Sequence, residues 1–346
     1  MAAVTKVAGV SVRAAHPEEG RAIATLWREL WDAHEVWGGY LGTRDPRVYE
    51  KLGQRLSEDA RLRGGHPVLG RHIHLVAEWN GSVVGQVEGW FERHGVDEGT
   101  PYTCEVRSLI VAESARAAGA GRALLEGLLR IARQMSRGTP VIMAAEVLEP
   151  NPAHAFYARC GYVPVSWTAR VFTEGAADAL TAYEGFLARD ATPNDALAIA
   201  MLDPALAMRR RAQGDLRFDK PRAVDATFVG ALAAHLAHPF GGQEQSELVV
   251  VDRAGVVRAS ASLTIMALDP PFVPARRGML GRFALDPAID PRPLVVPLVR
   301  LGRRSALLRG AATLELTDLD PPGAPIHNGA LYAGAQPWSR IVERFG

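Results

Sequence analysis

The sequence predicts a mixed α/β protein built from two similar halves, each a mixed central sheet flanked by helices. Three observations predict this class. Hydrophobic periodicities typical of strands and of helices alternate along the chain. The dipeptide Asn80-Gly81 joins two runs of alternating apolar residues, as in a β-hairpin. The pattern of the first half then returns in the second, with Gly255 in the place of Gly81.

Composition narrows the function classes. The 346 residues are 48% hydrophobic and 22% charged, which is typical of a soluble globular protein with room for two domains. A formal net charge of +1 gives no global reason for a nucleic-acid or membrane partner. Apolar runs stay below membrane-spanning length, the first residues lack a signal-type hydrophobic region, and Cys104 and Cys160 are too few for a disulfide framework. We expect a cytoplasmic protein without nucleic-acid or membrane partners.

The first half begins with a strand and two helical regions. Residues 10–14 are strand-like, and Pro17 opens a helix whose apolar positions recur at helical spacing as far as Leu30. Residues 31–40, rich in Gly and Trp, predict a bend that lines a pocket, and residues 47–62 predict a second helical region.

A hairpin of strands 74–79 and 82–92 follows. Gln86, Glu88, Trp90 and Glu92 fall on one face of its second strand, because side chains alternate along a strand. This face therefore carries carboxylates beside an indole.

The centre of the first half is a strand–turn–helix–strand unit. Strand 102–111 enters the turn 116–122, helix 122–137 leaves it, and the apolar run 141–147 predicts a buried strand. Several backbone N–H groups converge where the helix dipole is positive, so the turn is suited to bind phosphate. Asn151 then predicts the N-cap of a short helix, 152–160, before a strand at 162–172.

The second half repeats this order with one difference. Arg189 and Pro193 correspond to Arg13 and Pro17, and later strands and helices correspond in turn. In place of the phosphate turn, however, residues 286–293 contain prolines, which lack N–H donors, and aspartates, which repel phosphate. We expect domains at 1–174 and 187–346, connected by 175–186, with a phosphate site only in the first.

Two motifs of the first half resemble the GNAT superfamily of acetyl-CoA-dependent N-acetyltransferases. Arg116-x-x-Gly119-x-Gly121 is similar to the family's pyrophosphate turn, and residues 151–162 (Asn-Pro-Ala-His-Ala-Phe-Tyr-Ala-Arg-Cys-Gly-Tyr) are similar to its second motif, with the alanine one residue later. The duplicated layout resembles tandem GNAT proteins in which one copy has lost its cofactor site.

The resemblance implies a splayed sheet that holds acetyl-CoA in a V-shaped gap. It implies that backbone N–H groups at the end of the strand before the turn bind the pantetheine and polarise the thioester carbonyl. The implied cofactor-binding residues are Leu109, Ile110, Val111, Arg116, Ala117, Ala118, Gly119, Ala120, Gly121, Arg122, Asn151 and Phe156.

Acetyl transfer to an amine requires a base for the amine and an acid for the departing thiolate. Tyr157 matches the family's general-acid tyrosine. Glu105 lies eleven residues before Arg116, where the histone-acetyltransferase branch carries a glutamate, and Glu88 is the next candidate base, with Glu92 competing. A chain of water molecules is the alternative to a carboxylate.

Other chemistries fit the sequence less well. His72 and His74 lack a nearby acid or cysteine at metal-ligand spacing, so no metal site is expected. A Rossmann motif would need a third glycine at Leu124, and Cys160 lacks a histidine partner for nucleophilic catalysis.

The acceptor is expected to be a small-molecule amine, since carboxylates would attract its charge and aromatic side chains could pack on it. The aromatic candidates are Trp31, Trp37, Tyr40 and Trp90. A protein amine, a hydroxyl acceptor, and a non-catalytic acyl-CoA sensor or scaffold remain alternatives. The second half either walls the acceptor cleft or mediates homodimerisation.

Overall fold

The structure is a computed structural model, which describes residues 5–7, 9–38, 47–93, 100–176, 180–215, 223–238, 244–267 and 276–346. Contacts within the chain divide it into two compact units. The described residues up to Val163, together with Val342–Gly346, form the first unit, and the other described residues form the second. This division differs from the domain boundaries proposed at 174 and 187, because the strand after Val163 lies in the second unit and the last five residues lie in the first.

The first unit is a mixed sheet with helices on both faces. Its strands are β1 (Thr5–Val7), β2 (Val10–Arg13), β3 (Val68–Leu69), β4 (His72–Trp79), β5 (Ser82–Arg93), β6 (Tyr102–Val111) and β7 (Val141–Leu148). Its helices are α1 (Gly20–Val36), α2 (Val48–Arg63), α3 (Ala120–Ser136) and α4 (His154–Arg159). The sheet order is β1-β2-β4-β5-β6-β7, with β3 paired to β4, and β6 and β7 run parallel.

Each face of this sheet has its own core. Helix α3 packs on one face through Leu124 and Leu128, and a Cβ atom on Gly89 of β5 would lie only 2.5 Å from Leu128 Cδ1. Helices α1 and α2 cover the other face, where Ile23 and Leu52 are buried. The absence of a side chain at Gly89 thus allows α3 to approach the sheet closely.

The predicted bend at 31–40 is wrong in its first part, because α1 continues to Val36. No proline or glycine interrupts the helical pattern before Gly38, so nothing local ends the helix earlier. Trp31 is 2% exposed and its ring lies 5.3 Å from that of Trp27, which places Trp31 in the core and not in a pocket wall. Trp37 and Gly38 form a turn after the helix, and residues 39–40, including Tyr40, lie outside the described residues.

The second unit repeats the architecture. Its strands are β8 (Val163–Phe172), β9 (Ala182–Tyr183), β10 (Phe186–Asp190), β11 (Glu244–Val251), β12 (Val257–Ala267), β13 (Arg276–Leu285), β14 (Thr313–Leu319) and β15 (Gln336–Phe345, whose last residues belong to the first unit). Its helices are α5 (Ala196–Ala212), α6 (Ala226–Ala237), α7 (Arg292–Leu308) and α8 (Pro325–Tyr332). The order is β8-β14-β13-β12-β11-β10-β9, with β13 and β14 parallel, and α7 packs on the core of this sheet.

Equivalent details recur in the two units. Arg13 forms an ion pair with Glu19 (2.6 Å), and Arg189 forms one with Asp195 (2.7 Å), each just before the first long helix of its unit. The helices after the turn, α3 and α7, both contain 17 residues. These matches support a duplication.

Candidate active site

The site is a cleft of about 710 Å³ where β6 and β7 part. The parallel register of the two strands runs from Tyr102–Val141 to Val106–Ala145. Beyond that pair, Leu109, Ile110 and Val111 of β6 line one side of the cleft, and Glu146 and Val147 of β7 line another part of it. A cleft of this volume lies within the range of small-molecule and cofactor sites.

The predicted phosphate turn lies at this cleft. A short 3-10 helix, Glu113–Ala118, leads to Gly119, whose φ of 81° is in the left-handed region that favours glycine. Helix α3 starts at Ala120, two residues earlier than predicted. The Arg116 guanidinium donates from Nε to the carbonyl oxygen of Val111 (3.2 Å), which ties the turn to the end of β6.

The turn has the donors that a pyrophosphate requires. Arg116 and Arg122 are exposed and line the cleft with Gly119 and Gly121, at the N-terminal end of α3 where the helix dipole is positive. A Cβ atom at Gly119 would have no protein atom within 4 Å, so the backbone there is open. These residues fit a phosphate-bearing cofactor.

Most of the predicted cofactor residues line the cleft. Ten of the twelve predicted residues line it, namely Leu109, Ile110, Val111, Arg116, Ala117, Gly119, Gly121, Arg122, Asn151 and Phe156. Ala118 packs against the core and Ala120 is fully buried, so these two contribute backbone only. The side chain of Asn151 accepts from the N–H of Ala153 (2.9 Å) and so holds the start of α4.

Helix α4 places Tyr157 in the cleft. Tyr157 is 8% exposed, and its ring packs edge-on against Phe156 (5.4 Å) and Tyr162 (5.2 Å). Burial, with a smaller contribution from the nearby Cys160, raises the pKa of Tyr157 above its ordinary value, so the phenol keeps its proton at neutral pH. A protonated hydroxyl in a cleft can donate a proton.

The two predicted carboxylates lie on the sheet face covered by α1 and α2, and neither is among the described residues that line the cleft. Glu105 is half-exposed and forms an ion pair with Arg107 (2.5 Å). Glu88 is 12% exposed and lies 3.6 Å from His72 Nε2. Burial opposes the ionisation of Glu88, but its interactions with the neighbouring His72 and His74 hold its pKa below the ordinary value, so Glu88 is a carboxylate.

His34 and Trp37 of the predicted bend line the cleft as expected, whereas four other polar residues of its lining were missed, namely Glu29, Ser108, Glu146 and Arg159. Glu29 and His34 come from α1 and Glu146 comes from β7. Burial lowers the pKa of His34 to about 4, so its imidazole is neutral, and its ring lies 5.3 Å from that of Trp37, which also lines the cleft. Glu29 lies within the predicted helix, but its helical position alone does not show that it borders the cleft. Glu146 is the one charged residue in an otherwise apolar strand.

Within the described ranges, no three His, Cys, Asp or Glu side chains are grouped so that they could hold a metal ion. His72 instead accepts from Arg63 (2.7 Å), and His74 bonds Gln86 (2.8 Å). No described helix is both long and apolar enough to cross a membrane.

In the corresponding loop of the second unit, residues 286–293, two aspartate side chains accept hydrogen bonds from the loop's own backbone. Asp286 accepts from the N–H of Ala288 and Asp290 from that of Arg292, both at 3.0 Å. These bonds occupy backbone donors that a phosphate would need, which supports the expectation that the second unit has no phosphate turn.

Comparison with known proteins identifies the fold. Residues 25–162 match the model of the acetyltransferase (GNAT) family. A GCN5-related N-acetyltransferase from Sphaerobacter thermophilus is similar over 99% of this chain and 97% of that chain, with a TM-score of 0.57 and 15% identity. The glucosamine N-acetyltransferase region of a fungal multi-domain β-N-acetylglucosaminidase gives a TM-score of 0.52 at 13% identity, over 98% of this chain and 38% of that chain.

A tandem GNAT protein from the clavulanic acid biosynthesis pathway gives a TM-score of 0.48 at 16% identity, over 97% of this chain and 98% of that chain. Comparison with curated proteins gave no match. The predicted mixed α/β fold of GNAT-like units and the family resemblance of the first half are confirmed.

Proposed function

Since residues 25–162 form a domain of the acetyltransferase (GNAT) family, we propose that the first unit transfers acetyl from acetyl-CoA directly to the amine of a small molecule. The observation that carries this proposal is the distribution of charge along the cleft. Arg116 is bonded to Val111, whereas Glu146 directly follows Ala145, the partner of Val106. Val111 is five positions beyond Val106 and Glu146 is one position beyond Ala145 in the same direction, so about four residues of strand, roughly 13 Å, separate the basic and acidic parts of the cleft.

The basic end suits the phosphates of CoA. Arg116 and Arg122 supply charge, and the Gly119–Gly121 backbone supplies N–H donors. Acetyl-CoA supplies an acetyl thioester, which an amine attacks with departure of the thiolate.

The acidic end suits a protonated amine. Glu146 lies in this part of the cleft, and Glu29, the neutral His34 and Trp37 of α1 also line the cleft. A cationic ligand gains from both the carboxylates and the aromatic rings. This favours a small amine with an apolar body as the acceptor.

We assign the acid role to Tyr157, whose protonated hydroxyl would donate to the departing thiolate. Glu105 and Glu88 remain the proposed bases, acting through water because both lie outside the described cleft lining. Glu146 joins them as a third candidate, since it lines the cleft itself.

The test is release of free thiol from acetyl-CoA across a panel of small amines, with wild type, Tyr157→Phe and Tyr162→Phe. Tyr162 is 4% exposed in the same core and provides the matched control. We expect Tyr157→Phe to lower kcat by about 100- to 10,000-fold, the usual contribution of a general acid, with little change in CoA affinity. Tyr162→Phe should stay within a few-fold of wild type.

Labelled acetyl-CoA incubated with a metabolite extract identifies the acceptor by mass spectrometry. An amide product is expected, and an ester product would show transfer to a hydroxyl. Tight binding of acetyl-CoA without thiol release across the panel and the extract would overturn the enzyme in favour of a sensor.

A further inference from the structure

A chain of hydrogen bonds runs through the buried interior to the strand that lines the cleft. His74 Nε2 lies 2.8 Å from Gln86 Oε1, and Gln86 Nε2 donates to the backbone carbonyl of Ser108 (2.9 Å). His74 is 1% exposed and Gln86 is fully buried. Buried polar groups destabilise a protein unless they are hydrogen-bonded, so the structure strongly favours these two hydrogen bonds.

The chemistry of the chain fixes its proton positions. The Ser108 carbonyl can only accept, so the Gln86 amide must present its NH₂ group to it and its oxygen to His74. His74 must therefore carry a proton on Nε2 to donate to that oxygen. Burial lowers the pKa of His74, which keeps the ring in a neutral form at physiological pH.

The carbonyl that Gln86 holds belongs to a strained bulge. Gln86 pairs with Ile110 and Glu88 pairs with Arg107, so Ser108 and Leu109 together face the single residue Val87. Ser108 has a φ of 49°, in the left-handed region, and both bulge residues line the cleft. Such a conformation is costly for a residue other than glycine and persists where the surroundings enforce it.

The Ser108 carbonyl and the Leu109 N–H are the two ends of one planar trans peptide, so they point in opposite directions. When Gln86 holds the carbonyl, the Leu109 N–H is directed away from Gln86. The hydrogen-bonded side chains of His74 and Gln86 therefore set the direction in which the Leu109 N–H points at the cleft.

The second unit shows that the bulge forms without this pair. There Ser260 pairs with Ala284 and Ser262 with Gly281, and the bulge residue Arg282 has a φ of 54°. The residues at the places of Gln86 and His74 are Ser260 and Glu247. A histidine–glutamine pair is thus not needed to build the bulge, and it occurs in the unit whose turn fits phosphate.

We propose that His74 and Gln86 are positioning residues that aim the Leu109 N–H at the acyl carbonyl oxygen in the cleft. This inference rests on the proposed acetyl transfer. Removal of one such donor typically lowers kcat by about 100- to 1,000-fold, and we expect misalignment through Gln86→Met to lower it by about 10- to 100-fold. CoA affinity should change by less than about 3-fold, because the phosphate turn is not altered.

The first measurement is independent of turnover. A CoA ketone analogue, with a methylene in place of the thioester sulfur and a ¹³C-labelled carbonyl, is bound to each variant and its C=O stretch is recorded by infrared difference spectroscopy. In wild type the stretch should move to lower frequency on binding, and in Gln86→Met it should return toward its value in water. Thr103→Val is the matched control, because Thr103 is buried on β6, the strand of Ser108 and Leu109, and its hydroxyl has no hydrogen-bond partner.

His74 gives a second pair of variants if Gln86→Met does not fold. His74→Gln keeps a donor for Gln86 and should retain most of the frequency shift and of kcat, whereas His74→Leu should lose both. The positioning role would be overturned if Gln86→Met, or His74→Leu, showed the same C=O stretching frequency and the same kcat as Thr103→Val. A shifted carbonyl in a wild-type protein that transfers no acetyl group would instead overturn only the proposed function.

Discussion

Two glycines of the phosphate turn should respond differently to alanine. Gly119 has a φ of 81° and open space around its missing Cβ, so Gly119→Ala meets only backbone strain. An L-residue in this left-handed conformation costs about 1–2 kcal/mol. Gly121 lies in the first turn of α3, where alanine gains about 1 kcal/mol of helix propensity. Its Cβ, however, would lie 3.1 Å from Phe156 Cζ, so the ring must move by a few tenths of an ångström.

The two effects at Gly121 nearly cancel in stability but not in binding. We expect Gly121→Ala to change the free energy of unfolding by less than about 1 kcal/mol, because crowding offsets propensity. Since Phe156 lines the cleft, its displacement should weaken CoA binding by about 1 kcal/mol, or about 5-fold. Gly119→Ala should lower the free energy of unfolding by about 1–2 kcal/mol.

Urea unfolding followed by tryptophan fluorescence and titration calorimetry with CoA measure these changes. Gly64→Ala is the matched control, since Gly64 has a φ of 57° and equally open surroundings at the end of α2. It should lose stability like Gly119→Ala and keep CoA affinity. A Gly119→Ala protein as stable as wild type, or unchanged CoA binding in Gly121→Ala, would refute the reasoning.

Two further predictions concern pH and the C-terminus. Burial lowers the pKa of His74 below 6.5 and that of His34 to about 4, so the unfolded state takes up these protons first. The free energy of unfolding should therefore be highest above pH 6.5 and fall as the pH decreases, by up to about 1.4 kcal/mol per pH unit for each histidine, and urea titrations of His74→Gln should show a shallower fall. An identical slope in wild type and His74→Gln would contradict this. Deletion of Val342–Gly346 removes the buried Val342 and the Arg344–Glu126 ion pair (2.8 Å), and should destabilise the first unit by about 2 kcal/mol or more in thermal melts. Arg344→Ala alone should cost at most about 1 kcal/mol, and an unchanged melt after the deletion would argue against a structural role of these residues.

Local chemistry made much of the fold predictable. Asn80-Gly81 predicted the turn between β4 and β5, which the structure contains, because few residue pairs adopt the required positive φ angles. Gly119 located the turn before α3 for the same reason, since its φ is 81°. Strand alternation also placed Gln86 and Glu88 on one face.

Long-range pairing explains what was missed. Sequence alternation could not show that Gln86 meets Ser108, 22 residues away, or that β8 pairs with β14 in the second unit. Helix α1 was ended too early because its Trp-rich end resembled a bend, and Glu29 was missed because the helical period does not show which face of α1 borders the cleft. The position of Glu146 at the cleft was not predicted, because the apolar sequence of β7 does not show where its pairing with β6 ends.

The sequence by itself determined the turn that fits phosphate, the motif that carries Tyr157 and the loss of the equivalent turn in the second half, because each depends on neighbouring residues. Only the tertiary structure decided which carboxylates face the cleft. That outcome depends on where the pairing of β6 with β7 ends, at Val106 and Ala145. Because these strands are distant in sequence, the end of their pairing is determined by tertiary packing and not by local conformation.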